Sequence, residues 1–178
     1  PSSQSIKSNA HALARYASLV QEANMVPIVE PEVLMDGSHN IDKCYKVTTD
    51  VLNECFNELK IHKVDLEGTV LKPNMVIPGT ECKDKSSSRE IAEKTLECLK
   101  KNVPNKVPGI AFLSGGQSEI ESSKNLNEIN KIKKIINFIY WFFSQPKKIV
   151  GGRNFSLVND KLQSKKIIKF LKSNKDNF

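Results

Sequence analysis

The chain has 178 residues, about one domain in length. It holds 39% hydrophobic and 26% charged residues at a mean hydropathy of −0.38, a composition that excludes a disordered or fibrous polymer. The formal net charge of +7 is unevenly spread: residues 1–123 carry 14 basic and 17 acidic groups, net −3, whereas residues 124–178 carry 13 basic and 3 acidic groups, net +10.

No apolar run approaches the ~20 residues that a helix needs to span a bilayer; the longest candidate, 135–143, has nine. Residues 1–23 lack the charged-then-apolar order of a secretory signal. The chain opens at Pro1 rather than Met, so a natural start upstream of it is expected. Cys44, Cys55, Cys82 and Cys98 show no C-x-x-C spacing, and Cys44, Cys55 and Cys98 fall in helix-like runs that predict small buried thiols, which together point to a reduced, cytoplasmic compartment. His11, His39 and His62 are scattered along the chain, and their spacing predicts no metal site.

Taken in chain order, Ala10, Leu13, Ala14, Ala17 and Val20 predict a first amphipathic helix. Residues 25–30, M-V-P-I-V-E, predict a strand. Cys44, Val47, Val51, Cys55 and Leu59 mark one face of a helix over 41–59. The apolar run 64–72 predicts a second strand. Ser87 with Glu90 forms a capping-box pattern ahead of a helix over 91–99. Residues 109–114, G-I-A-F-L-S, predict a third strand, and Ser118 with Glu121 repeats the capping pattern after it. The strands begin roughly 40 residues apart, too far for hairpins and suited to crossover helices. The order α-β-α-β-α-β-α predicts a parallel sheet flanked by helices, either open and doubly wound or closed as a barrel. In both, chemistry gathers at the carboxyl ends of the strands.

The strand ends are therefore the places to look. The first strand ends in Glu30-Pro31-Glu32, the second in Lys72-Pro73-Asn74 and the third in Ser114-Gly115-Gly116-Gln117-Ser118. Taken singly, each has a plain structural explanation: a terminal lysine carries its ammonium to solvent, and the other two are turns. Together on one rim they form a chemical set. A lysine amine among apolar neighbours such as Val70, Leu71 and Met75 is costly to keep charged and can attack a carbonyl to form an imine. Glu30 or Glu32 can shuttle the protons that carbinolamine dehydration requires. Ser114, Gly115 and Gly116 precede a helix and offer backbone N–H groups to an anion. These residues point to an imine-forming enzyme acting on a phosphorylated carbonyl compound.

At these same residues the sequence resembles class I fructose-1,6-bisphosphate aldolase. The carriers are N-A-H-A-L-A-R-Y-A-S (9–18), V-P-I-V-E-P-E (26–32), L-E-G-T-V-L-K-P-N-M (66–75) and F-L-S-G-G-Q-S-E (112–119), and the likeness runs to about Asn130. The resemblance implies a partial (β/α)₈ TIM barrel with Lys72 as the Schiff-base lysine and Glu30 as the principal acid/base. It also implies that Glu32 sets charge and position, and that Ser114, Gly115 and Gly116 hold a substrate phosphate. The implied reaction is reversible cleavage of fructose 1,6-bisphosphate to dihydroxyacetone phosphate and glyceraldehyde 3-phosphate. It requires neither metal nor other cofactor. The implied partner is a sugar bisphosphate, with no membrane or nucleic acid, and full-length members are usually homotetramers.

The matching region corresponds to the family's fifth to seventh strands. Its first four strands, with an aspartate, two lysines and an arginine of the site, have no counterpart here, so a partial chain is expected. After Asn130 the family's arginine-bearing eighth strand is replaced by I-I-N-F-I-Y-W-F-F-S-Q-P (135–146), an uncharged, β-prone run that is an aggregation hazard unless it takes the place of that strand. Residues 131–178 are read as a divergent basic tail from a shifted frame or retained intron. A partner-binding amphipathic tail, with Phe155, Val158 and Leu162 on one face, is the competing explanation. A catalytically silent, truncated aldolase-like binding protein is the alternative function. A transaldolase-like enzyme is disfavoured by the Glu-Pro-Glu and Ser-Gly-Gly stretches.

Overall fold

The computed structural model describes residues 1–132 and the strand Ile139–Trp141. Its elements are α1 (Ser3–Glu22), β1 (Ile28–Val29), α2 (Ile41–Ile61), β2 (Val70–Leu71), α3 (Ser88–Asn102), β3 (Gly109–Phe112), α4 (Glu119–Ile132) and β4 (Ile139–Trp141). The sheet order is β1-β2-β3-β4 with every neighbouring pair parallel. Helices α2, α3 and α4 are the crossovers that parallel neighbours require, and α1 precedes the first strand, so the predicted alternation of helix and strand holds. Ile139–Trp141 lies in register against Ile110–Phe112, which adds a fourth strand where the sequence promised three. The remaining residues of the basic tail, including Phe155, Val158 and Leu162, lie outside the described residues.

Side-chain size explains the packing. Ala10, Ala14 and Ala17 are the buried residues of α1; their small side chains let α2 approach and close over Cys55, Leu59 and Val29. A larger cluster joins Leu52 of α2 with Leu71, Met75, Leu99, Phe112 and Ile129. All four residues of β3 are buried, as expected for a strand with parallel neighbours and helical cover. The buried face of α2 runs through Cys44, Thr48, Leu52, Cys55 and Leu59, while Val47 and Val51 are only half-buried. The helix is thus rotated slightly from the face that periodicity alone selects, because Thr48 turns inward to a polar partner described below.

The strands are shorter than the sequence predicts. Only Ile28–Val29 of 25–30 and Val70–Leu71 of 64–72 pair. Residues Leu66–Gly68 instead form a single 3-10 turn. Asp65 Oδ1 accepts the N–H of Glu67 (3.0 Å), a local bond that competes with extended pairing. The Gln21 side chain meets the backbone of Asp65 through both its amide atoms, at 2.8 and 3.0 Å, which fastens this turn to the end of α1. Two N-termini behave as their sequence suggests. Ser87 Oγ accepts the N–H of Glu90 (3.2 Å), and Ser118 and Glu121 form the full reciprocal box at 3.3 and 3.2 Å.

Candidate active site

Parallel pairing brings the strand ends to one rim. Val29 pairs with Leu71, and Leu71 with Ile110, so the next residues, Glu30 and Lys72, emerge side by side. Lys72 N–H donates to Val29 C=O (2.7 Å), a bond that fixes the lysine backbone against β1. The Lys72 Nζ donates to the Glu30 carboxylate and forms an ion pair with it. The Lys72 side chain is 15% exposed and that of Glu30 44%, so solvent reaches the pair from the glutamate side. The lysine therefore faces a carboxylate as well as the apolar neighbours foreseen from the sequence.

Pro31 sets the second carboxylate. Glu32 N–H donates to Glu30 C=O across it (2.9 Å), a three-residue turn suited to proline's fixed φ. This turn aims Glu32 at the third strand end, where a Cβ on Gly115 would lie 3.4 Å from Glu32 Oε1. Gln117 N–H donates to Ser114 C=O (3.1 Å), with φ of +59° at Gly115 and +89° at Gly116. Two successive positive φ angles define a type I′ turn, which selects glycine at both positions. Among the described residues, the N–H groups of Gly115 and Gly116 have no hydrogen-bond partner. The Ser118 N–H, by contrast, is already taken by Glu121 (3.2 Å). The Ser118 hydroxyl, which donates to the same carboxylate, together with that bond holds the Glu121 carboxyl below its ordinary value. Any anion at this turn would thus meet the glycine amides rather than the capped helix end.

A small cavity gathers Glu32, Lys72, Leu113, Gly115 and Gln117. A larger open cleft, about 620 Å³, lies between α1 and the segment 30–34. Glu30 and Glu32 line that cleft but Lys72 does not. The smaller cavity is the one that Lys72 lines; the larger borders β1, which has no strand partner on its outer side among the described residues.

Two positioning residues were not singled out from the sequence. Asn74 is buried; its Oδ1 accepts Val33 N–H (3.0 Å), and its Nδ2 donates to Thr48 Oγ1 (3.0 Å) and Met75 C=O (3.0 Å). It ties the loops after β1 and β2 to α2, which accounts for the inward turn of Thr48. Gln117 Nε2 donates to Ser114 C=O (2.8 Å), and its Oε1 accepts from Asn125 of α4 (2.6 Å), bracing the glycine turn. The only available signal was an amide following each short motif, a common residue with many roles. The structure also draws together His11, Glu58 and His62, although the histidines are far apart in the chain.

A parallel α/β sheet with a lysine and two carboxylates at adjacent carboxyl ends has the layout of α/β enzymes that work at the strand-end rim. The comparisons with known proteins narrow that class. Residues 1–146 match the family model for class I fructose-bisphosphate aldolase, a match that extends past Asn130 and through β4. The chain is 53% identical over 132 residues to a probable class 1 fructose-bisphosphate aldolase of Xylella fastidiosa, covering 74% of this chain and 40% of that protein. It is 53% identical over 133 residues to cytosolic fructose-bisphosphate aldolase 4 of Arabidopsis thaliana, covering 75% and 34%. A solved fructose-bisphosphate aldolase from Plasmodium falciparum, crystallised with TRAP and a small-molecule inhibitor, superposes with a TM-score of 0.79. It is 45% identical, and the match covers 80% of this chain and 41% of that one. The chain belongs to the class I fructose-bisphosphate aldolase family. It spans 34–40% of the length of the curated relatives it matches.

Proposed function

We propose that this chain carries the imine-forming segment of a cytoplasmic class I aldolase, which cleaves fructose 1,6-bisphosphate reversibly to dihydroxyacetone phosphate and glyceraldehyde 3-phosphate. The observation that carries it is the Lys72–Glu30 pair at adjacent strand ends. Glu30 accepts a proton from the Lys72 ammonium, releasing an amine that attacks the C2 ketone of the open-chain sugar. The resulting carbinolamine loses its hydroxyl as water, with Glu30 returning the proton, and a protonated imine forms. A carboxylate then removes the C4 hydroxyl proton, the C3–C4 bond breaks, and its electron pair flows into the iminium to give an enamine. Glyceraldehyde 3-phosphate leaves. Protonation of the enamine at C3 and hydrolysis of the imine release dihydroxyacetone phosphate and restore Lys72. The iminium is the electron sink, so these steps call on no metal ion.

Glu32, beside both Glu30 and Gly115, holds negative charge near the reacting centre and keeps the two strand ends in register. Ser114, Gly115 and Gly116 bind one phosphate, a role supported by the two unpartnered glycine amides. The four parallel strands are read as one side of a (β/α)₈ TIM barrel, and the whole protein as a homotetramer with a sugar bisphosphate as its ligand. The shift from −3 to +10 in net charge supports a basic tail of different origin over residues 131–178. An intact, spliced transcript encoding that tail would count against a frame-shifted or intronic source.

Borohydride reduction with fructose 1,6-bisphosphate tests the chemistry. Peptide mass spectrometry is expected to find the reduced adduct on Lys72, both in the 178-residue chain and, faster, in a chimera extended with the amino-terminal strands of a relative. No adduct at Lys72 in either protein, or equal labelling of surface lysines, would overturn the assignment.

A further inference from the structure

We propose that His11, Glu58 and His62 form a binding site for one divalent transition-metal ion, with Zn²⁺ the best match to its donors. Each side chain offers a donor atom within 4.8 Å of the others. Glu58 and His62 stand four residues apart at the end of α2, where side chains share a face, and His11 reaches them from α1. His11 Nδ1 lies 3.1 Å and His62 Nδ1 3.7 Å from Glu58 Oε2. Zinc bonds of roughly 2.0–2.2 Å to nitrogen and oxygen place tetrahedral ligands about 3.3–3.5 Å apart. The 3.1 Å between His11 Nδ1 and Glu58 Oε2 is close to that, and the remaining adjustment falls on His11, whose side chain is 57% exposed.

Two further features favour a cation over a simple hydrogen-bonded trio. The Glu58 side chain is only 8% exposed, so its carboxylate lies in a site where an ion would offset the lost solvation. His62 Nδ1 also lies 3.0 Å from Glu58 C=O. A carbonyl only accepts, so this nitrogen carries the proton and the lone pair is on Nε2. Such a backbone bond is the usual outer partner that sets the tautomer and orientation of a ligating imidazole. The two rings meet edge to face, centroids 4.8 Å apart and planes at 67°, so they converge without stacking over each other. Two imidazoles with one carboxylate suit zinc and its neighbours better than magnesium or calcium, which prefer all-oxygen sets. Three protein ligands leave a fourth position for water.

The end of α2 leads into the turn before β2, so the cluster sits towards the amino ends of the strands, away from Lys72. Its role is to clip α1 to α2, not to take part in imine chemistry. The site is independent of the proposed function: borohydride labelling of Lys72 and metal binding can succeed or fail separately.

The test uses the full chain, Co²⁺ as a spectroscopic probe and Zn²⁺ competition against a chromophoric chelator. One ion per chain is expected, with visible d–d absorption and no thiolate charge-transfer band. His11→Ala, an exposed helix position given the best helix former, and Glu58→Gln should each weaken binding at least tenfold, while Lys72→Met should leave it unchanged. Zn²⁺ should raise the Tm of the unaltered chain, with circular dichroism confirming that the variants stay folded. Binding that survives both substitutions, a thiolate band in place of the d–d spectrum, or no uptake at 100 µM Co²⁺ would overturn the proposal.

Discussion

Replacing Asn74 by alanine probes the join between the loops after β1 and β2. Its amide satisfies three groups: the Val33 N–H, the Met75 carbonyl and the Thr48 hydroxyl. Asn74→Ala removes all three bonds at once. The Thr48 hydroxyl can rotate and retains Cys44 Sγ at 3.9 Å, so its loss is small. Val33 is half-buried, and water can reach its N–H, which places that orphan at the low end of the usual penalty, about 1 kcal/mol. The Met75 carbonyl belongs to a residue only 2% exposed and costs about 1–2 kcal/mol when left unpaired. Together the loss is about 2–3 kcal/mol, or a fall in Tm of roughly 8–12 °C at about 4 °C per kcal/mol for a packed region of this size. Urea unfolding followed by circular dichroism measures the first number, and a thermal scan the second. A loss below about 0.5 kcal/mol would mean that water replaces the amide, and would refute the claim that Asn74 anchors this rim.

Three other outcomes follow from the geometry. Glu30→Gln leaves the lysine without its proton acceptor, so borohydride labelling of Lys72 should slow by about 10²–10⁴-fold; an unchanged rate would assign the proton transfers elsewhere. Gly116→Ala forces a side chain into φ +89° and within 2.7 Å of Met35 Sδ. Because Met35 can move, the backbone strain dominates, about 1–2 kcal/mol, and inorganic phosphate should protect the variant less against thermal unfolding than it protects the parent. Burial pushes the Cys55 thiol up to about 12, above the value it takes when unfolded. The folded state then holds this proton where the unfolded state has lost it. Stability is therefore fully present below about pH 8.5 and falls by about 1.4 kcal/mol per pH unit as pH climbs towards 12. Urea midpoints at pH 8, 9 and 10 check the slope, and Cys55→Ala should flatten it.

Much of the rim was legible because its residues come as short motifs. Lys72-Pro73, Glu30-Pro31-Glu32 and Ser114-Gly115-Gly116 each declare a strand end, and a parallel sheet sends all strand ends to one side. The helices were legible from the 3.6-residue period and from the caps at Ser87 and Ser118. The extent of the strands was not, since pairing depends on neighbours: 64–68 is extended by composition yet coils into a turn held by Asp65 and by Gln21, 44 residues away.

What this sequence determines by itself is the alternation of helix and strand, the lysine that ends the second strand and the glycines that the turn after the third requires, all of them written in local spacing. Only the tertiary structure decides which groups touch. Lys72 meets Glu30 across 42 residues, Asn74 meets Val33 across 41, and His11 meets Glu58 across 47. Such contacts arise from the register of a parallel sheet and the small-residue seam between α1 and α2, and no local pattern records them.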